Sequence, residues 1–164
     1  MGNSASAAPL NAAVVVGVLT VTLLAAGMNF NGSLMGGRVG IIELTASLVA
    51  LVCWMVASAV MGWRGSTAFL WFALTYWLLV AVSVSLFQLV GLNLITFLVL
   101  GMTSSPWYAF FDRPEIVGLT DSVHLRMALI GVAGGLACAT AWLAGRRRST
   151  QRRVRASTSS TADR

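Results

Sequence analysis

Between residues 66 and 102 the chain carries no charged side chain. Folded as one helix, a segment of this length would measure about 55 Å, whereas the hydrocarbon core of a bilayer is about 30 Å thick. A soluble domain of this size could not enclose such a segment together with several further apolar runs of about 20 residues. The segment therefore predicts a membrane protein, and its length requires it to bend or to leave the membrane.

Composition leads to the same class. Hydrophobic residues make up 57% of the chain and charged residues 10%, against about 25% charged residues in typical soluble domains. The net charge of +6 comes almost entirely from the end of the chain, where six arginines lie between residues 146 and 155. This run directly follows an apolar segment and contains no aromatic side chain for base stacking, so no nucleic acid partner is expected.

The apolar segments predict an all-α integral membrane protein with four transmembrane helices. Gln88, Gly91 and Asn93 loosen the long third segment and place its break there, so that residues 92–111 form an interfacial or re-entrant piece. The alternative is two short spans joined by a turn near residues 83–88, although no charged or Gly-Pro turn signal lies there. The predicted spans are residues 12–28, 40–61, 66–88 and 123–145, with an outer loop at about residues 92–122.

The ends of the chain fix the expected orientation. Residues 1–11 form a short polar segment, residues 12–145 the membrane domain, and residues 146–164 a disordered polybasic tail. Because arginine near the end of a span stays on the cytoplasmic side, the C-terminus is predicted inside, and with four spans the N-terminus as well. The tail is expected to contact anionic lipid headgroups through Arg146, Arg147, Arg148, Arg152, Arg153 and Arg155.

Intramembrane polar side chains are the usual sign of a solute pathway. Glu43 is the only carboxylate within a predicted span, and it forms a candidate polar site with Gln88 and Asn93. An ion pair of Glu43 with Arg38 or Arg126 would explain the same carboxylate without any transport role.

Signals for catalysis are weak. His124 is the sole histidine and has no second ligand beside it, and Cys53 and Cys138 each lie within apolar runs. The zinc-protease, serine-hydrolase and phosphate-loop motifs are missing from the sequence, as is a paired acidic motif for magnesium. No cofactor, metal or enzymatic activity is therefore expected.

Two segments indicate contacts with other helices or proteins. Gly131, Gly135 and Ala139 recur at every fourth residue, a GxxxG-type stripe for close helix packing, with a partner in the same chain or in another protein. The outer loop begins with aromatic residues that predict an interface anchor or a docking site for a partner. Its candidate contacts are Trp107, Tyr108, Asp112 and Arg113.

These features favour an accessory, assembly or scaffold subunit of a larger membrane complex, associated with other membrane subunits or with itself. The alternative is a small oligomeric transporter or channel with Glu43 in its pathway, and a third is a membrane enzyme with an outer-face site at His124, Asp121 and Asp112. The chain has 11 basic residues, all of them arginine, which favours a GC-rich bacterial genome and thus a bacterial plasma membrane.

Overall fold

The computed structural model describes residues 7–35, 39–91, 93–111 and 122–162. Every element within these ranges is a helix. In chain order they are α1 (Ala7–Met35), α2 (Ile41–Trp63), α3 (Thr67–Val90), α4 (Leu94–Thr103), a 3-10 turn (Ser105–Trp107), α5 (Tyr108–Phe111) and α6 (Val123–Ala162).

Four of these helices are long and apolar enough to cross a membrane. This confirms the predicted all-α architecture with four apolar helices of spanning length. Helix α3 is continuous through residues 83–88, so the alternative with a turn there is wrong: the sequence has no residue at those positions that would interrupt a helix. The stretches of spanning length are Asn11–Phe30, Ile41–Trp63, Thr67–Val90 and Val123–Arg152.

The long third apolar segment breaks at a glycine. Gly91 adopts a φ of +80° and a ψ of 177°, a conformation that is essentially restricted to glycine, and α3 ends at the preceding Val90. The Gly91 N–H still donates to the Phe87 carbonyl at 2.9 Å, and the chain then enters α4 at Leu94. The break therefore falls within the segment where Gln88, Gly91 and Asn93 predicted it.

A tight turn makes α2 and α3 antiparallel. Gly65 has a φ of +76°, its N–H donates to the Gly62 carbonyl at 2.9 Å, and the Ser66 N–H donates to the Met61 carbonyl at 3.0 Å. These two bonds form a Schellman motif, which satisfies carbonyl groups that the end of α2 would otherwise leave unpaired.

Helix α6 packs against both α2 and α3, and α1 packs against α2. The approach of α6 to α2 is so close that a Cβ atom on Gly145 would overlap the Ala59 carbonyl oxygen, and one on Gly62 would overlap the Trp142 carbonyl oxygen. Glycine at both positions allows the two backbones to touch, as is common between membrane helices. On the other side of α6, the Trp142 indole donates to the Ser66 carbonyl at 3.0 Å.

The arginine-rich end of the chain differs from its prediction. Residues 146–164 were expected to be disordered, but α6 continues as a helix to Ala162. Arginine, glutamine and alanine favour helix, and no glycine or proline follows Gly145 within α6. The helix is therefore 40 residues long and extends about 60 Å.

Candidate functional site

Four aromatic side chains from three elements meet in the middle of the bundle, and we call them the aromatic core: Trp54, Tyr76, Trp77 and Trp107. Trp54 stacks on Tyr76 and Trp77 packs on Trp107, each pair with ring centroids 4.6 Å apart. Trp54 and Trp107 are fully buried. Aromatic pairs at this separation stabilise a core beyond the area they bury.

Each polar group of the aromatic core has a partner on another element. The Trp54 indole donates to the Thr22 hydroxyl of α1 at 3.0 Å, and the Trp77 indole donates to the Cys138 sulfur of α6 at 3.2 Å. The Trp107 indole donates to the Tyr76 hydroxyl at 3.1 Å, and that hydroxyl donates to the Met102 carbonyl at 3.1 Å. These bonds connect all four long helices with the segment that contains α4 and the 3-10 turn.

Asn29, near the end of α1, forms a second buried polar group that sequence reasoning missed. Its amide nitrogen donates to the Ala25 carbonyl at 2.9 Å and to the Ser47 hydroxyl at 3.2 Å, and Ser47 donates to the Pro106 carbonyl at 2.6 Å. The Asn29 side-chain oxygen is buried and has no hydrogen-bond partner. An unpaired buried acceptor is costly and favours a bound water or solute group at this point.

A signal for Asn29 was present in the sequence. Asn29 continues the helical spacing of the buried residues Val18, Thr22 and Ala25 on one face of α1. It was assigned to a turn because the neighbouring residues are polar and glycine-rich. Local composition obscured a periodic pattern that extends past the end of the apolar run.

The predicted intramembrane polar site is not a buried cluster. Glu43 is half-buried in the first turn of α2, where its carboxylate accepts the Gly40 N–H at 2.9 Å, and Gln88 and Asn93 are exposed near the junction of α3 and α4. The Arg126 guanidinium lies 5.3 Å from the centre of the Phe111 ring, and Arg38 lies outside the described residues. Glu43 thus serves as a helix-capping carboxylate.

The predicted docking site in the outer loop is corrected in one respect. Trp107 is fully buried in the aromatic core and is therefore unavailable to a partner, because the 3-10 turn carries it back between the helices. Tyr108 is half-buried and stacks on Phe111 at a centroid distance of 5.7 Å. Asp112 and Arg113 lie outside the described residues.

The glycine stripe of α6 faces α3. A Cβ on Gly131 would lie 2.6 Å from the Ala81 backbone nitrogen, and one on Gly135 would lie 3.5 Å from the Trp77 Cβ. Ala139 is half-buried. Gly134, which the spacing did not include, lies directly against the Trp77 ring, so the close approach does not follow a single four-residue repeat.

Beyond the aromatic core, the ends of α2 and α6 form a groove of about 360 Å³ that we call the basic groove. The Arg152 guanidinium lies 5.3 Å from the centre of the Trp63 ring, and Arg146, Arg147, Arg148 and Arg152 are exposed. The side chains of Arg153 and Arg155 lie outside the described part of the structure. The groove is lined by small or apolar residues of both helices (Ala59, Val60, Ala141, Ala144 and Gly145) together with Trp63, Arg148 and Arg152.

The outer ends of α3 and α6 hold a possible catalytic pair. The Ser85 hydroxyl lies 3.2 Å from Nδ1 of His124, while Asp112 and Asp121 are outside the described residues. Among the residues that the structure describes, no three His, Cys, Asp or Glu side chains are grouped to hold a metal ion.

Comparisons with known proteins give this chain no relative. It matches no family model, and neither the curated proteins nor the solved structures contain a significant match to it.

Proposed function

We propose that this chain is an accessory, assembly or scaffold subunit of a larger membrane complex and has no enzymatic activity of its own. The carrying observation is the use of its buried polar groups. The Trp54, Trp77 and Trp107 indoles bond to other elements of the same chain, and so does the Ser47 hydroxyl. Polar groups spent on holding helices together are not free to bind a passing solute, which favours a structural role.

We infer an orientation with both termini in the cytoplasm, in a bacterial plasma membrane. The exposed residues Arg146, Arg147 and Arg148 directly follow the apolar part of α6, and this supports a cytoplasmic C-terminus. With four spans the N-terminus lies on the same side.

In this orientation, the segment from α4 to the 3-10 turn re-enters the membrane from the outer face. Ser47, which bonds the Pro106 carbonyl, lies about 9 Å along the axis from the outer end of α2. Tyr76, which bonds the Met102 carbonyl, lies about 14 Å from the opposite, inner end of α3, near mid-membrane. Bonds at both depths support re-entry, because non-helical backbone is tolerated there only when protein surrounds it.

A deletion of the gene tests the subunit proposal. One membrane complex is expected to lose abundance or change size on native electrophoresis, and to be restored by the wild-type chain. The Glu43→Gln variant should restore it equally, because the proposed role does not use that carboxylate as a transport site. If every membrane complex keeps its size and abundance in the deletion strain, the proposal is wrong.

A small oligomeric transporter is the second candidate, and two observations favour it. Backbone is irregular at Ser105–Trp107 beside the aromatic core, and the buried Asn29 oxygen has no partner. Broken helices with such unpaired oxygens line solute sites in several transporter folds. In reconstituted vesicles, this candidate requires a solute flux that Asn29→Leu abolishes; a flux indifferent to Asn29, or no flux, would remove it.

A further inference from the structure

The basic groove has the features of a site for one particular membrane component. It lies where α6 continues past the end of α2, so it is located at the boundary between the apolar bundle and the arginine-rich part of α6. Trp63 is half-exposed there, and tryptophan prefers the headgroup level of a membrane because its ring is apolar and its N–H is polar.

The shape of the groove follows from small residues. Ala59, Ala141 and Ala144 leave space between the helices that larger side chains would fill, while Gly145 brings the two backbones into contact beside it. The lining is mainly apolar apart from its arginines. Such a cleft suits the upper part of an acyl chain attached to a charged headgroup.

The charge of the groove is positive and uncompensated among its lining residues. Arg148 and Arg152 are four residues apart on α6 and therefore share a face. None of the lining residues is acidic. Because the Arg152 guanidinium lies over the Trp63 ring, its position is partly fixed, and its N–H groups point outward from the edge of the plane toward possible acceptors.

We propose that the basic groove binds one anionic phospholipid, with its phosphodiester held between Arg148 and Arg152 and the start of an acyl chain along the alanine-lined part. Arginine forms two parallel hydrogen bonds with phosphate, which a zwitterionic headgroup weakens through its own ammonium group. This site deepens the inferred contact between the tail and anionic headgroups: it turns a diffuse attraction into a defined, one-to-one site.

Native mass spectrometry of the purified full-length protein tests the proposal. The probes are phosphatidylglycerol and phosphatidylcholine with identical acyl chains. The wild-type protein is expected to bind one phosphatidylglycerol at least about tenfold more tightly than phosphatidylcholine. Equal binding of the two lipids would overturn the proposal.

Two double variants separate a defined site from general electrostatics. R148Q/R152Q removes both groove arginines, and R146Q/R147Q removes the same charge from the same turn of α6 outside the groove. The first is expected to weaken phosphatidylglycerol binding by about tenfold or more relative to the second. Equal losses would show that only the net charge of the tail matters, and the site would not exist.

Three further measurements keep the outcome unambiguous. Circular dichroism and thermal unfolding verify that both double variants are folded, since Arg152 also contacts Trp63. R148K/R152K keeps the charge but loses the planar guanidinium, and should bind phosphatidylglycerol more weakly than wild type. Millimolar inorganic phosphate should not displace the lipid; displacement would identify a soluble-anion site instead. Because the purified protein has no membrane sides, these results do not depend on the inferred orientation or on the subunit role.

Discussion

The Tyr76 hydroxyl is the single atom that connects the most separate parts of the fold. It accepts the Trp107 indole N–H and donates to the Met102 carbonyl, so it joins α3 to the 3-10 turn and to α4. Burial excludes water that could replace either bond, because Tyr76 is 8% exposed and Trp107 fully buried. The position of the 3-10 turn is thus expected to depend on this hydroxyl.

Tyr76→Phe removes both bonds and leaves an indole N–H and a carbonyl unpaired. We expect the free energy of unfolding to fall by about 1–3 kcal/mol, measured by denaturant titration in mixed micelles. Thr20→Val is the control, because the exposed Thr20 hydroxyl bonds only to the Val16 carbonyl of its own helix at 2.9 Å. If the two substitutions have equal effects, the Tyr76 hydroxyl does not hold the turn in place.

Individual residues were the level at which sequence reasoning succeeded least. Trp107 was predicted at the membrane surface because aromatic residues at the start of a loop commonly lie there. Nothing in the local sequence indicates that the chain turns back into the bundle, since this depends on bonds to Ser47 and Tyr76, far away in sequence. Glu43 was correctly singled out as unusual, yet its capping bond to Gly40 became visible only with the helix start.

At the level of helices, the contact between α2 and α6 depends on glycine. Gly145→Ala places a methyl group on the Ala59 carbonyl, so the two helices must separate. Overpacking of this kind is expected to cost about 1–3 kcal/mol, seen as a lower unfolding temperature in detergent. Gly27→Ala is the matched control: a Cβ there meets no atom within 4 Å, and the unfolding temperature should not fall.

The end of α3 gives a second prediction for helices. Gly91→Ala forces an L-residue into a conformation with φ near +80°, at a cost of about 1–3 kcal/mol. Gly101→Ala, within α4 and with open space around its Cβ position, should cause no such loss. Thermal unfolding compares the two, and equal stability of both variants would contradict the strained conformation.

Helix positions were largely predictable because the length and apolarity of a segment determine whether it can cross a bilayer. The break near Gly91 was predictable for the same reason, since one helix of that length would be too long. The helical continuation of α6 past Gly145 was not predicted, because charge density was given more weight than the helix propensity of arginine.

At the level of the whole molecule, the inferred orientation makes a direct prediction for labelling. In intact cells, a membrane-impermeant maleimide should modify Val39→Cys, between α1 and α2, and should modify Ser157→Cys only after permeabilisation. The parent protein, whose Cys53 and Cys138 lie within α2 and α6, measures the background. Labelling of Ser157→Cys in intact cells would reverse the orientation.

The central claim is that this bundle serves another protein, and the mass of its native assembly tests that claim most directly. The tagged chain is extracted from its own membranes in a mild detergent, and the intact assembly is weighed by native mass spectrometry. The account predicts a mass that contains a second polypeptide in fixed ratio to the 17.3 kDa chain. A mass that is a whole multiple of this chain, with bound lipid alone, would contradict it.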